Sequence, residues 1–177
     1  MTRDVVPLRA EAADDRGDPP LYDLIEMLFF AYRDFVGDAD RLLEAYGFGR
    51  AHHRVLHFVS RKPGLSVAEL LDILRITKQS LARVMKDLAD GGFVTAHAGA
   101  TDRRQRLLFL TTAGRDLADK LSHLQSERFR RALRELPGDA HEGALRFLFA
   151  MVDPEARADV AATVWPEPAR VPRVGRR

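Results

Sequence analysis

Helix-stopping residues divide this chain before any other pattern in it can be used. Gly37, Pro63-Gly64, Gly91-Gly92, Pro137-Gly138 and Pro154 recur along its 177 residues. Each favours a helix end, because glycine is conformationally free and proline lacks the N–H that a helix interior uses. Between these stops the apolar residues follow helical spacing. Leu21, Leu24, Ile25, Leu28, Phe29, Tyr32, Phe35 and Val36 form one broad stripe, predicting a helix that stops near Gly37. A second helix is expected from about Arg50 to Ser60, with Val55, Leu56 and Val59 inward. Ser66 and Glu69 make a capping box that opens a short helix through Leu74. Thr77 reads as the next N-cap, with Leu81, Val84, Met85 and Leu88 on the inner face.

Downstream of Gly92 the spacing changes. Phe93 to His97 and Gln105 to Leu110 read as two short strands, joined by a turn-rich loop from Ala98 to Asp102. A long polar helix follows from Thr112 to about Glu135, seamed by Leu117, Leu121, Leu124 and Phe129. The last helix carries Leu145, Leu148, Phe149 and Val152 and ends before Pro154. The expected fold is mainly α with one small β-hairpin. Residues 1–20 read as a disordered acidic leader, and residues 154–177 as a mostly disordered tail rich in Pro and Arg.

Composition removes several function classes. There is no cysteine, so disulfide scaffolds, zinc ribbons, iron–sulfur sites and thiol switches are excluded. No apolar run is longer than Met27 to Tyr32, which is far too short for a membrane span, and residues 1–20 lack the apolar core of a secretory signal. A cytoplasmic protein without membrane association is expected. An enzyme is not: there is no G-x-S-x-G, no phosphate-cradling glycine loop and no cysteine nucleophile. No cofactor is expected either.

The net charge of +2 hides a separation. Residues 1–26 carry three basic and seven acidic side chains, a balance of −4, whereas Arg75 to Arg106 carry seven basic and three acidic, a balance of +4. That basic stretch coincides with a short helix, a tight turn and a second helix, the arrangement that places its second helix in the DNA major groove. Thr77, Lys78, Gln79, Ser80, Arg83 and Lys86 lie at the start or on the outer face of that helix. Gln suits adenine and Arg suits guanine, while Ser, Lys and helix N-terminal N–H groups suit phosphate. Arg103, Arg104 and Arg106 follow on the hairpin, where arginine side chains can enter a narrow minor groove.

Residues 66–114, SVAELLDILRITKQSLARVMKDLADGGFVTAHAGATDRRQRLLFLTTAG, resemble the winged helix-turn-helix of MarR-type transcriptional regulators. The most specific part is Gly92-Phe93-Val94, then Asp102-Arg103-Arg104, then Leu110-Thr111-Thr112-Ala113-Gly114. Flanking helices extend the resemblance over roughly Leu21 to Val152, and GRAHHRVLHF at 49–58 is similar to a PetP-like branch of that family. The resemblance implies a homodimer on double-stranded DNA with a near-palindromic operator. The winged helix would span about 50–111, with dimerisation helices at about 21–37 and 112–153. It also implies that Arg104 is the wing arginine, that Asp102 stiffens the wing by pairing with an arginine, and that a small-molecule effector binds near Tyr32, Phe35, His53, His57 and Phe58. Three positions depart from the family pattern. Ala96 and His97 replace basic residues at the wing base, and Arg75 stands where the turn often has Gly. If that position needs φ > 0, Arg75 adopts it at a cost on the order of 1–2 kcal/mol.

Two other functions compete. His52, His53 and His57 lie close together, and the four-residue spacing of His53 and His57 can share a zinc or copper ion, with a third or fourth ligand to come from a distant residue such as His97, His123 or Glu26. A metal-responsive regulator using His53 and His57 is therefore one alternative, although H-x-x-x-H alone is a weak pattern and histidines at a helix junction are the commoner case. A dimeric protein-interaction module is the other; it would keep the helices but not need the basic face.

Overall fold

The computed structural model describes residues 18–99 and 102–166. The chain divides into two compact units, one ending at Gln125 and the other beginning at Ser126. Most of the leader, the tail beyond Pro166 and residues 100 and 101 lie outside the described residues.

Helix α1 spans Tyr22–Glu44 and does not stop at Gly37. Val36, Ala39 and Leu43 are buried in turn along it, so the inward-facing side of the helix continues straight through the glycine. A glycine in a helix interior costs about 1 kcal/mol, whereas fully burying one leucine contributes roughly 1.5–3 kcal/mol. Packing of Leu43 alone therefore outweighs Gly37. Helix α2, Arg50–Arg61, lies next, with Val55, Leu56 and Val59 buried as its spacing predicts.

A two-residue strand β1, Leu65–Ser66, precedes α3, Val67–Leu74. It pairs with the second hairpin strand to give an antiparallel sheet in the order β1-β3-β2, where β2 is Val94–Ala98 and β3 is Arg106–Leu110. Leu65 faces Leu108, and Val94 faces Leu110. Alternation along β3 buries Leu108 and Leu110 under the helices and leaves Arg106 exposed. Helix α4 is Lys78–Asp90, with Leu81, Val84 and Leu88 buried. One core joins α1–α4, the sheet and the start of α5, Thr112–Arg134, through Leu117, Ala118 and Leu121. Phe129 on α5 is 52% exposed and Leu124 is 39% exposed, so the expected seam is buried only as far as Leu121.

The β3–α5 junction depends on a backbone approach that only glycine permits. A Cβ on Gly114 would stand 2.0 Å from the Phe93 carbonyl oxygen. Thr111 fastens the same place: its Oγ1 donates to the Gly92 carbonyl at 2.7 Å and accepts the Gly114 N–H at 3.0 Å.

The second unit contains α6, Ala140–Ala150, and continues further than the sequence suggests. Pro154–Ala156 form a 3-10 turn and Arg157–Val164 form α7. The part of the expected tail between 154 and 164 is thus helical. Arg157 is the reason: it donates to the Val152 carbonyl at 3.0 Å and the Ala150 carbonyl at 2.9 Å, capping α6 while starting α7. Phe149 and Trp165 then meet edge to face, 5.7 Å between centroids. Among the described residues no helix is long and apolar enough to cross a membrane.

Candidate nucleic-acid interface

The interface is built on two helix starts and one turn. At α3, Ser66 Oγ accepts the Glu69 N–H at 3.2 Å, and the Glu69 carboxylate accepts the Ser66 N–H at 2.8 Å and its hydroxyl at 2.7 Å. Lys62 Nζ adds an ion pair to the same carboxylate at 2.5 Å. The Lys62 bond, followed by those from Ser66, holds the Glu69 carboxyl down at about 2. At α4, Thr77 Oγ1 accepts the Ser80 N–H at 3.1 Å and donates to Ser80 Oγ at 2.9 Å. The Thr77 cap is thus as its position predicts, and Ser80 Oγ already has one partner.

Between the helices, Arg75 adopts φ 51° and ψ 46°, the left-handed conformation, and is the one non-glycine with positive φ among the described residues. Its N–H closes α3 on the Leu71 carbonyl at 2.9 Å. Arg54, from α2, reaches across to the Leu74 carbonyl at 3.1 Å and holds the end of α3 from outside.

His52 fixes α4 from the other side. Its Nδ1 accepts the Gly49 N–H at 3.1 Å, which leaves the proton on Nε2, 3.2 Å from the Asp87 carboxylate of α4. The ring stacks on Phe48 at 4.7 Å, and Phe48 in turn meets Phe93 edge to face at 5.2 Å. In the sequence His52 is one of three neighbouring histidines; its role arises from contacts 35 residues apart, which no local pattern records.

These anchors leave α4 exposed along Lys78, Gln79, Ser80, Arg83 and Lys86. The cations there are not equivalent. Lys86 forms an i,i+4 ion pair with Asp90. No side-chain ion pair or hydrogen bond holds Lys78 or Arg83 among the described residues, so the available positive charge concentrates on the N-terminal half of the helix.

The wing begins at Gly99, where an added Cβ would come within 2.7 Å of the Asp102 carbonyl oxygen. The loop is closed by Gly99 N–H to the Gln105 carbonyl at 3.0 Å and Gln105 N–H to the Asp102 carbonyl at 3.1 Å. Asp102 does not pair with an arginine side chain among the described residues. Its Oδ1 instead accepts the Arg104 backbone N–H at 2.9 Å, a local turn bond that needs no second side chain. Arg103, Arg104 and Arg106 are all exposed. His97, at the wing base, packs its ring on Phe109 at 5.5 Å.

The residues expected around an effector lie on α1 and α2. Tyr32 is 54% exposed, with the Arg50 guanidinium 6.0 Å from its ring centroid and Arg50 paired to Asp40 at 2.9 Å. Phe35, His53, His57 and Phe58 are half-buried, and Phe58 packs against the core. Burial, then the neighbouring His57, pushes the His53 imidazole down, against an opposing pull from Asp40; burial and then Arg61 lower His57. A small cleft of about 60 Å³ lies elsewhere, lined by Val59, Ser60, Pro63, Phe109, Leu110 and Arg115. No group of three or more His, Cys, Asp or Glu that could hold a metal occurs among the described residues, and His53 and His57 have no third ligand there.

Comparison with known proteins agrees with this geometry. The model of the MarR family matches residues 46–105. The HTH-type transcriptional regulator PetP of Rhodobacter capsulatus is 46% identical over 140 residues, which is 79% of this chain and 84% of PetP. A crystal structure of MarR shares the fold at a TM-score of 0.62 and 21% identity, covering 84% of this chain and 99% of MarR. Staphylococcus aureus MepR, in a DNA-binding conformation, gives a TM-score of 0.62 at 19% identity over 75% of this chain and 96% of MepR. With a capped helix pair, an arginine-bearing wing and a relative of this similarity over most of both chains, the protein belongs to the MarR family of DNA-binding transcriptional regulators.

Proposed function

We propose that two copies of the chain pair through α1 and present their α4 helices and wings to the two halves of a near-palindromic operator. The observation that carries the DNA contact is the distribution of unpartnered cations. Lys78 and Arg83 on α4 and Arg103, Arg104 and Arg106 on the wing point to solvent without side-chain partners among the described residues, while Lys62, Lys86 and Arg50 are paired. Charge left free on a groove-sized helix and on a hairpin suits the phosphates and grooves of a duplex. Gln79 and Arg83 are assigned to base edges, Thr77, Lys78, Ser80 and Lys86 to the backbone, and Arg104, supported by Arg103 and Arg106, to the minor groove.

Pairing is supported by α1 itself. Leu21, Tyr22, Met27, Phe29, Phe30 and Tyr32 are each between 48% and 67% exposed. Most of them form, with the exposed Leu24, Ile25 and Leu28, one broad apolar face, and a contiguous exposed apolar face of this kind normally marks an interaction surface. A C2 dimer covers such a surface with its own copy and sets two half-sites about 10 base pairs apart. An effector at Tyr32, Phe35, His53, His57 and Phe58 would lie beside that surface and change the spacing of the two reading helices, coupling ligand to operator.

Arg104→Ala is expected to weaken operator binding and to reduce the slope of log K against log salt by about one. Unchanged affinity and slope would remove the wing from DNA binding. Arg83→Ala is expected to relax sequence preference at one base pair by about 1–3 kcal/mol. An equal loss on operator and random duplex would assign Arg83 to the backbone instead. Mapping bound genomic DNA supplies the operator and shows the half-site spacing directly.

A further inference from the structure

We propose that Arg75 is a phosphate contact of the helix-turn-helix, kept in a strained conformation because its charge is needed at the turn. The proposal rests on the DNA-binding role derived above and adds a residue to it. Everything the backbone does at this position could be done by glycine with less strain. The left-handed φ of 51° turns the chain from α3 to α4, and the N–H bond to Leu71 ends α3. Neither uses the side chain. An L-residue in this conformation brings its Cβ against the following carbonyl, a conflict that glycine lacks.

Nor does the guanidinium serve the fold. Arg75 is exposed, and its side chain has no ion pair or hydrogen bond among the described residues. The nearest structural task for a cation, covering the carbonyl of Leu74 at the end of α3, is performed by Arg54 at 3.1 Å. Asp72, on the same helix, is also exposed, and no ion pair joins it to Arg75. The turn is therefore held by Arg54, by the Leu71 carbonyl and by the half-buried Ile76, with Arg75 free above it.

Its place gives that freedom a use. Arg75 stands two residues before Thr77, whose cap opens α4, and three and four residues before the exposed Lys78 and Gln79. A helix-turn-helix inserts the start of its second helix between the groove walls, so a long side chain on the preceding turn can reach a wall, which is a row of phosphates. Guanidinium meets phosphate through two parallel N–H bonds and stays charged throughout the working pH range. Strain retained at a position where the side chain has no internal partner is the pattern of a functional site rather than of a fold determinant.

The full-length chain and three variants, Arg75→Gly, Arg75→Asn and Arg75→Lys, separate charge from backbone. Binding is measured on a random-sequence duplex of about three helical turns and on the operator, across a salt series, with thermal unfolding alongside. Arg75→Gly is expected to unfold at the same or a higher temperature than wild type. It is also expected to bind both duplexes roughly three- to tenfold more weakly, with a salt slope smaller by about one. Arg75→Asn, which tolerates the left-handed conformation, is expected to lose the same affinity, and Arg75→Lys to retain most of it.

Wild-type affinity and slope in the Gly and Asn variants would overturn the assignment, and would do so alone if Arg104→Ala still weakened binding. Equal losses in Gly, Asn and Lys with an unchanged slope would also overturn it, assigning the effect to the turn geometry. Failure of wild type to bind either duplex would overturn this assignment together with the operator-binding role.

Discussion

Glu69 is the residue at which sequence, geometry and ionisation can be followed without a gap. The Ser66-x-x-Glu69 spacing predicts a capping box, and the structure has both reciprocal bonds, with Lys62 added from the end of α2. Because its folded pKa is lowered to about 2 from an ordinary value of 4.5, Glu69 contributes stability that is fully present above that ordinary value. The contribution is lost as pH falls towards 2, where the folded form also becomes protonated. Its side chain is 46% exposed, so solvent screening keeps the effect small. Glu69→Gln is expected to lower the urea midpoint at neutral pH and to flatten its decline below about pH 4.5. Parallel declines in wild type and variant would show that the ion pair carries no stability. His52 shows the opposite case. Its partners, Gly49 and Asp87, belong to different elements, so only packing brings them to one ring, and the sequence shows three histidines close together without saying which one has that task.

At the scale of elements, local chemistry was legible wherever a cap or a turn decided the outcome, and obscure wherever packing did. Thr77 opens α4, and the Gly91-Gly92 pair closes it, with Gly92 at φ 75°. Arg75 took the positive φ that a glycine-type turn position requires. Gly37, by contrast, signals a stop that α1 ignores, because Ala39 and Leu43 beyond it are completely buried. The strand Leu65–Ser66 is too short to show alternation and exists because β3 offers it a partner. Gly37 also makes a direct test of this balance. A Cβ there would meet only Arg41 Nη1, at 3.6 Å, an ordinary contact. Gly37→Ala is therefore expected to stabilise the protein by about 0.5–1 kcal/mol, measured by chemical denaturation, through lower backbone entropy in the unfolded chain. A destabilised variant would mean that α1 needs its flexibility at Gly37, for example to bend against a second copy.

For the molecule as a whole, the question is what covers α1. Its buried residues, Val36, Ala39 and Leu43, all lie in the second half of the helix, whereas the exposed aromatics lie in the first. One half of α1 is thus a core element of its own chain, and the other leaves its large apolar side chains exposed among the described residues. The stripe was visible in the sequence, but the sequence could not divide it, because an interior face and an interface face have the same residues and period. If the first half is a subunit interface, folding and association are linked, and the unfolding temperature rises with protein concentration by mass action. Phe29→Glu places a charge where the side chain is 67% exposed in one chain, so it leaves the packed half of α1 untouched. The variant is expected to sediment as a monomer at concentrations where wild type is a dimer, and to lose the concentration dependence of unfolding. It is also expected to bind the operator with weaker affinity while contacts to a single half-site persist, because Arg83 and Arg104 are unchanged. Dimeric sedimentation of Phe29→Glu with undiminished operator affinity would place the interface elsewhere, and the exposed aromatics of α1 would then need another partner.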